Sequence, residues 1–362
     1  MKEGWEKKKL GEVCDIYQPQ TISTNELVND GLYPVFGANG IIGHYDKYNH
    51  EDPEILLTCR GATCGTINVS LPKSWINGNA MVIKRKTSNL NFDFLKYLMK
   101  SLDYSLIITG AAQPQITRQS LSPVKIPVPP LSVQESIVSE LDMLSGIISK
   151  HKALQEEYDR LEQSIFYDMF GDPVTNEKGW EVKKLEELGT CCSGGTPSRK
   201  NPKYFEGDIN WFSAGELNTL YVDNSLEKIT QEALETSAAK LCPANSLFIG
   251  MYDTAAFKMS IPKVESCSNQ ACANIVLNKD NVIWLYFVLQ SMKEEALKNR
   301  HGARQKNLNL GYIKSFQVPL PPLSLQQSFA DKISAIEQMK AKNKAAQEET
   351  EMLFNERMAY YF

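Results

Sequence analysis

The sequence has 362 residues, with 39 lysines and arginines, 43 aspartates and glutamates, and a formal net charge of −4. Hydrophobic residues at 42% and charged residues at 23% are typical of a soluble globular protein, which excludes wholesale disorder. The slightly acidic balance excludes a protein that coats a polyanion over its whole surface, although it allows a local basic patch.

The chain begins with a motif that returns later. Segment 4–12, GWEKKKLGE, recurs at 179–187 as GWEVKKLEE. The segment starting at 127, PVPPLSVQES, recurs from 319 as PLPPLSLQQS, and this second correspondence holds without a gap to the chain end, where Phe170 matches Phe362. At roughly 150 residues per domain the length allows two or three domains. The repeat predicts two tandem copies, about 1–170 and 176–362, with 17 extra residues in the first part of the second copy.

The first part of each copy, about 11–126 and 188–318, is predicted to be mixed α+β. Short apolar runs between glycine-rich turns predict strands, and longer runs with helical periodicity predict helices. The predicted strands are 54–58, 80–83 and 246–249, and the predicted helices are 92–102 and 281–299.

Each copy then has a proline-rich segment followed by a long helix. The prolines favour an extended chain. Ser132 with Glu135, and Ser324 with Gln327, predict capping boxes at the helix starts. Apolar residues recur at a three–four spacing after both starts. They are Ile137, Leu141, Leu144, Ile147, Ile148, Leu154, Tyr158, Leu161 and Ile165 in the first helix, and Phe329, Ile333, Ile336, Met339, Ala346 and Leu353 in the second.

The first helix is predicted to end at Gly171, before Pro173. At ~1.5 Å per residue its 39 residues would span about 58 Å, which is too long for a helix buried in one compact domain. We therefore predict that the two helices pack on each other as an antiparallel coiled coil between two globular parts. The alternative is an amphipathic helix that docks on its own domain.

No pattern in the sequence indicates catalytic chemistry. The eight cysteines form no C-x-x-C pair and the four histidines are scattered, so reduced, mostly buried thiols and no metal site are expected. There is no P-loop, and the glycines of 37–43 fit a tight turn better than a dinucleotide site. The N-terminus does not resemble a signal peptide, and the longest apolar run, 282–289, is too short to cross a membrane. We expect a cytoplasmic protein without catalytic residues or a cofactor.

Basic and amide side chains concentrate in a few loop-like segments. Segment 298–307 has four cations and no acid, and its counterpart in the first copy is 109–118. Arg and Lys bind phosphates or guanine, and Asn and Gln bind adenine, so such loops suit a DNA groove, although a solvated surface is the alternative. The candidate DNA-binding residues are Arg300, Arg304, Gln305, Lys306, Asn307, Gln113, Gln115, Arg118, Arg60, Lys84, Arg85, Arg199, Lys200, Lys203, Tyr204 and Gln270.

Several motifs together resemble type I restriction-modification specificity subunits. They are the GWExKKL start of each copy, GGTPS at 194–198 followed by YFxGDIxW, YPVFG at 33–37, the PxPPLxxQ helix start, FGDP at 170–173, and GAxQKNL at 302–308. The first copy departs from the pattern because it has Pro114-Gln115-Ile116 in place of the last motif and lacks the Gly-Gly-Thr-Pro segment.

This resemblance implies two target-recognition domains, each reading a short half-site in the DNA major groove, held apart by an antiparallel helix pair. It implies as partners double-stranded DNA, two DNA adenine methyltransferase subunits and translocating restriction subunits, and no catalysis by this chain. We assign recognition domains to 1–128 and 172–320, and spacer helices to 129–171 and 321–362.

The internal pseudo-twofold repeat independently predicts two similar surfaces that bind two copies of a partner. Helices of about 58 Å exceed the ~34 Å of one turn of B-DNA, so we expect an unread gap between the two half-sites, with a length set by the helices. The alternative from another functional class is a scaffold that bridges partner proteins through its coiled coil and does not read DNA.

Overall fold

The computed structural model describes residues 5–110, 113–298 and 308–362. The chain forms two compact units. Unit 1 comprises Met1–Lys152 and Lys344–Phe362, and unit 2 comprises Ala153–Asn343. Each unit therefore contains one α+β domain together with a part of each long helix.

The domain of unit 1 is built on a four-stranded antiparallel sheet, which two smaller sheets accompany. The strands of the whole domain are β1 (Glu6–Lys9), β2 (Cys14–Tyr17), β3 (Tyr33–Gly37), β4 (Gly40–Tyr45), β5 (Ile55–Thr58), β6 (Ile67–Val69), β7 (Trp75–Ile76), β8 (Ala80–Arg85) and β9 (Lys125–Val128). Its helices are α1 (Leu10–Val13), α2 (Phe92–Ser101) and α3 (Arg118–Leu121), followed by the long α4 (Leu131–Phe170). The sheets have the orders β2-β8-β5-β6, β4-β3-β7 and β1-β9, and only the β3–β7 pair among them is parallel.

The domain of unit 2 repeats this plan with additions. Its strands are β10 (Glu181–Lys184), β11 (Gly189–Ser193), β12 (Ile209–Phe212), β13 (Tyr221–Val222), β14 (Glu227–Ile229), β15 (Leu247–Gly250), β16 (Met259–Pro262), β17 (Ser266–Ser268), β18 (Cys272–Leu277) and β19 (Gln317–Leu320). Its helices are α5 (Leu185–Leu188), α6 (Gln231–Glu235), α7 (Val282–Ser291), α8 (Lys293–Lys298) and α9 (Leu310–Ser315), followed by the long α10 (Leu323–Tyr361). The sheets have the orders β11-β18-β15-β16-β13, β14-β12-β17 and β10-β19.

The strand orders confirm the internal repeat. Strands β11, β18, β15 and β16 reproduce β2, β8, β5 and β6, and the β14-β12-β17 sheet reproduces β4-β3-β7 with its parallel pair. The chain between β11 and β15 is longer than the chain between β2 and β5. The extra residues of the second copy therefore lie before β15, where β13 and α6 have been added.

The core of each domain lies between the larger sheet and one helix. In unit 1, Ile55 and Ile83 pack with Phe94 of α2, and in unit 2, Leu247 and Ile275 pack with Trp284 of α7. The predicted strands at 54–58, 80–83 and 246–249 and the helix at 92–102 are confirmed. The helix predicted at 281–299 is divided, because the backbone at Met292 leaves helical geometry and ends α7 before α8 begins.

The long helices confirm the antiparallel prediction within each unit. In unit 1, Arg357 Nε of α10 lies 2.8 Å from Glu140 Oε1 of α4, and Lys152 Nζ lies 3.7 Å from Glu351 Oε1. In unit 2, the Phe170 ring lies 5.2 Å from the Phe329 ring, and Lys340 Nζ lies 2.8 Å from Asp159 Oδ1. In both units the residue number rises along α4 as it falls along α10.

The predicted capping boxes at the starts of these helices are wrong. Helix α4 begins at Leu131 and α10 at Leu323, so Ser132 and Ser324 lie inside the first turn rather than before it. The Pro130 carbonyl accepts the first backbone hydrogen bonds of α4, and Pro322 does the same in α10. Proline needs no hydrogen-bond partner for its own nitrogen, which suits it to the position before the helix.

The predicted packing face of the long helices is only partly correct. Leu154 is 41% exposed and Leu161 is 44% exposed, whereas Glu162 beside them is buried. Ile147, Met339 and Leu353 are also exposed. The real interface runs along a neighbouring face that carries charged side chains, which hydrophobic periodicity does not detect.

Candidate nucleic-acid interface

In unit 1 two polar loops meet at one end of the larger sheet. Arg60, which follows β5, forms a backbone bridge with Gln115, and Ile116 N–H donates to Cys59 O at 3.0 Å. Gly61 N–H donates to Pro114 O at 3.0 Å, in the loop that also carries Gln113. Arg60 and Gln113 are exposed and Gln115 is half-buried. The structure thus brings these three candidate residues together. We call the end of the sheet that carries them the loop edge of unit 1.

The β3–β4 turn belongs to the same end of the sheet. The Thr58 hydroxyl donates to Ala38 O at 2.6 Å, and the Thr63 hydroxyl donates to Asn39 Oδ1 at 3.0 Å. Gly40 has φ +121°, which favours glycine and confirms the tight turn predicted here. Exposed Asn39 therefore joins the loop edge. Sequence reasoning missed it because its only signal was an Asn-Gly turn, which is common in hairpins without any functional role.

Lys84 and Arg85 lie away from this edge. Thr58 pairs with Ala80 at one end of β8, so Lys84 and Arg85 are at the other end, about 13 and 16 Å further along the strand. Lys84 Nζ lies 2.9 Å from Glu54 Oε1, and Arg85 Nη1 donates to Leu90 O at 3.1 Å. Burial raises the pKa of Glu54, and the Lys84 ammonium acts against that rise. Both cations have structural partners at the far end of the sheet.

Arg118 is the first residue of α3 and is exposed. It lines a cleft with Lys86, Lys9 and Asp15. Because Asp15 pairs with Lys84 in the β2–β8 ladder, this cleft also lies toward the Lys84 end of the sheet. The structure therefore does not bring Arg118 to the edge formed by Arg60 and Gln115.

Unit 2 forms the equivalent edge. Leu308 N–H donates to Met251 O at 2.8 Å, which is the counterpart of the hydrogen bond from Ile116 N–H to Cys59 O in unit 1. Arg300, Arg304, Gln305, Lys306 and Asn307 lie outside the described residues. Leu308, which directly follows them, is nevertheless anchored at the loop edge.

Gln270 belongs to the same edge of unit 2. It is exposed in the turn between β17 and β18, and its side-chain oxygen accepts a hydrogen bond from the Thr196 hydroxyl. Met251 N–H donates to Ala271 O at 2.8 Å, which joins this turn to the strand end beside Leu308. A Cβ on Gly195 would approach the Ala238 backbone to 2.2 Å, so the Gly-Gly-Thr segment packs there only with glycine.

Arg199 is held by the protein itself. Its guanidinium lies 4.1 Å from the Phe205 ring centre and makes two hydrogen bonds to Glu227, at 2.5 and 2.7 Å. Each partner stabilises the charge of the other, so the pKa of Arg199 is raised and that of Glu227 is lowered. Trp211, also under the guanidinium, donates to Gly195 O at 2.8 Å and ties this group to the loop edge.

Lys200, Lys203 and Tyr204 follow Arg199 in the chain. Lys200 and Lys203 are exposed. Tyr204 is half-buried, and its hydroxyl accepts a hydrogen bond from the Thr236 hydroxyl at 3.2 Å. Tyr204 thus has a structural partner, whereas the two lysines present their charge to solvent.

The exposed side chains at the loop edges of both units suit the binding of a nucleic acid. Exposed cations bind phosphates, and exposed amides both donate and accept hydrogen bonds as base edges do. In the described ranges, no three or more His, Cys, Asp or Glu side chains are grouped so that they could hold a metal ion. In the same ranges, no helix combines the length and apolar character needed to span a membrane.

A family comparison decides the assignment. The model of the type I restriction modification DNA specificity domain matches residues 2–158 and 177–351, once in each copy. The chain belongs to this family. A type I specificity subunit is the non-catalytic DNA-recognition subunit of its enzyme.

Individual relatives agree over nearly the whole chain. The specificity subunit of the Escherichia coli type I restriction enzyme EcoR124I/EcoR124II is 26% identical over an alignment of 351 residues that covers 89% of this chain and 84% of that subunit. The crystal structure of the S subunit of a type I restriction-modification system from M. genitalium superposes with a TM-score of 0.65 at 14% identity, covering 98% of this chain and 95% of that one. A second structure, from work on complex assembly in the type I system, has a TM-score of 0.61 at 19% identity, covering 99% and 96%. At these identities the solved structures support the fold of this specificity subunit.

Proposed function

We propose that this specificity subunit reads a split, asymmetric DNA site, with one recognition domain, 1–128 or 172–320, on each half-site. This proposal rests mainly on the loop edges of the two units. Equivalent backbone hydrogen bonds, from Ile116 N–H to Cys59 O and from Leu308 N–H to Met251 O, hold both edges, but the side chains there differ. Arg60 of the first copy corresponds to Tyr252 of the second, and Gln115 corresponds to Asn307. A shared frame with different reading groups would contact different bases on the two sides.

The long helices would set the gap between the half-sites. Helix α4 has 40 residues and α10 has 39, so each is about 60 Å long at ~1.5 Å per residue. That length exceeds one turn of B-DNA, ~34 Å, so bases between the half-sites would remain unread. Ion pairs join the two helices in both units, and Phe166 and Phe170 pack on Phe329 in unit 2. These contacts support a stiff spacer rather than a flexible linker.

The same helices would dock two DNA adenine methyltransferase subunits, to which restriction subunits then add. Ile147, Leu154 and Leu161 recur every seven residues along α4, and all three are exposed. Met339 and Leu353 occupy the equivalent positions of α10 and are also exposed. An exposed apolar stripe of this kind fits a partner surface, and its repetition fits two copies of that partner.

Selection from a random pool of DNA duplexes, with the methyltransferase subunit present, tests the reading of bases. We expect two short fixed blocks separated by a gap of constant length. Replacing Arg60 and Gln115 by alanine should change one block only. Lys73→Ala is the matched control, because Lys73 pairs with Glu51 before β5, at the end of the sheet away from Arg60. A scaffold that bridges proteins without reading DNA would enrich no sequence.

Removing one turn from both long helices tests the spacer. One turn is ~5.4 Å, and neighbouring base pairs are ~3.4 Å apart, so the preferred gap should shorten by one or two base pairs. An unchanged gap would contradict the spacer role while leaving the reading of half-sites intact.

A further inference from the structure

The helix interface of unit 2 contains an ionic cluster in which Glu162 is buried, Lys340 is mostly buried and Asp159 remains exposed. Lys340 Nζ of α10 lies 2.8 Å from Asp159 Oδ1, 3.1 Å from Glu162 Oε2 and 2.7 Å from Glu337 Oε1. The Lys340 side chain is 16% exposed and that of Glu162 is 7% exposed. Glu162 and Lys340 therefore face each other across the two helices with little access to water.

This cluster is poorly arranged for stability. Three carboxylates share one ammonium group, and Glu162 Oε1 has no hydrogen-bond partner among the described residues. Burial raises the pKa of Glu162, and the nearby Glu337 carboxylate adds to that rise. Buried ion pairs often stabilise a fold less than apolar residues of similar size would. The cluster therefore calls for an explanation other than stability.

The equivalent positions of unit 1 are apolar. Aligning α4 with α10 so that Phe170 matches Phe362 places Phe354 at the position of Glu162, and Ile148 at that of Lys340. Phe354 packs on the core of unit 1, with its ring 6.1 Å from that of Tyr97. The two units therefore use the same helix geometry with different chemistry at this position.

The repeat creates competing partners for each helix. Helix α4 resembles α10, so α4 of one chain could pair with α4 of a second chain in the same antiparallel register. The last residue of each helix is compatible with such a pair. Phe170, at the end of α4, packs on Phe329 in unit 2, and its equivalent Phe362, which follows α10, packs on Phe94 in unit 1. In a pair of α4 helices, Glu162 would face Ile148 of the second chain. In a pair of α10 helices, Lys340 would face Phe354 of the second chain.

We propose that Glu162 and Lys340 specify the pairing of α4 with α10 and exclude the pairing of identical helices from two chains. A pair of α4 helices would bury Glu162 without any cation, which is strongly destabilising, and a pair of α10 helices would leave Lys340 with only Glu337 of its own helix. A single buried polar contact is a known means of fixing partner choice between helices. If the proposed function holds, this selection keeps two different recognition domains in one complex and prevents complexes that carry the same domain twice.

A split version of the full chain tests the proposal. A protease site is inserted between Val174 and Thr175, where both residues are exposed, and the purified chain is cut into its two halves. The halves are unfolded in urea and refolded together, and native mass spectrometry measures which halves pair. In the wild type we expect mixed pairs to exceed identical pairs by roughly a hundredfold or more, since the α4 pair would bury Glu162 without a cation.

Two double variants supply the comparison. Glu162→Phe with Lys340→Ile installs the residues of unit 1, and identical pairs should rise toward the level of a random mixture. Glu162→Lys with Lys340→Glu keeps a charge pair in reversed order and should retain the wild-type preference. If the first variant fails to fold by circular dichroism, Glu162→Leu with Lys340→Met replaces it under the same criterion.

The proposal is overturned if the apolar variant shows no more identical pairs than the wild type, or if the charge-reversed variant forms them as freely as the apolar one. DNA is absent from the measurement. Failure here would therefore be distinct from failure of the half-site reading, which the duplex selection measures.

Discussion

Replacing Gln326 by methionine should weaken the attachment of α10 to the domain of unit 2. Gln326 is completely buried at the helix start. It accepts from Asn281 N–H at 2.9 Å, and its amide donates to Pro321 O and to Asp280 Oδ1, both at 3.0 Å. At ~1 kcal/mol for each neutral hydrogen bond and ~2 kcal/mol for the bond to the carboxylate, the free energy of unfolding should fall by about 4 kcal/mol. Methionine has nearly the same volume, so packing should contribute little.

Urea unfolding of the full chain measures the loss, and hydrogen exchange of α7 locates it, because Asn281 caps that helix. For a unit of this size the unfolding temperature should fall by roughly 8–16 °C. Gln327→Met is the matched control: Gln327 is exposed and its change should stay within ~0.5 kcal/mol. A loss for Gln326→Met below about 1 kcal/mol, equal to the control, would refute the role of this amide.

Three further outcomes are expected. Burial raises the pKa of Glu162 above 4.5, so the folded chain keeps a proton that the unfolded chain releases; the free energy of unfolding should fall as pH rises from below 4.5 through the raised value. Glu162→Gln should flatten this slope in urea unfolding, and an unchanged slope would contradict the assignment. The hydrogen bond with the Cys242 thiol lowers the pKa of Cys192, whereas burial raises the pKa of Cys272 to about 12. Iodoacetamide at neutral pH should therefore modify Cys192 before Cys272, as measured by peptide mass spectrometry; earlier modification of Cys272 would disprove this. Arg304→Ala and Lys306→Ala should each weaken DNA binding at all sequences and reduce its salt slope by about 1 in titrations at several salt concentrations; wild-type slopes would remove them from the interface.

The helices and the repeat were predictable because they depend on patterns that extend over many residues. One constant register links PVPPLSVQES to PLPPLSLQQS and holds through both helices, so each helix supplies an independent test of the other. The strand at 54–58 was predictable for a similar reason, since β5 is buried along its whole length and therefore forms a continuous apolar run.

The helix interface was not predictable from the same reasoning. Leu154 and Leu161 continue the apolar spacing, yet they face solvent, while Glu162 and Lys340 lie in the interface. Composition assigns a charged residue to the surface because burial of an unpaired charge is costly. The partner that makes burial tolerable lies 178 residues away in the chain, and local periodicity contains no information about it.

The candidate interface shows the same limit. Arg199 was predicted from a basic cluster, but the sequence does not reveal that Glu227 holds its guanidinium, because the two residues meet only after β12 and β14 pair. Asn39 was missed for the opposite reason, since it carries no charge and is joined to the loop edge by the hydroxyls of Thr58 and Thr63. Side chains that converge from separate strands become visible only when register is known.

The two copies differ at positions that leave the attachment of the long helix to its domain unchanged. The added β13 extends the larger sheet of unit 2 at its edge, beyond β16, and leaves the order β11-β18-β15-β16 intact. Gln134 binds Asn91 N–H in unit 1 just as Gln326 binds Asn281 N–H in unit 2, although the chain between the asparagine and the glutamine is longer in unit 2. The attachment thus tolerates a change of length in the chain that it closes. A domain built in this way changes the side chains of its loop edge while its long helix still begins at the same place.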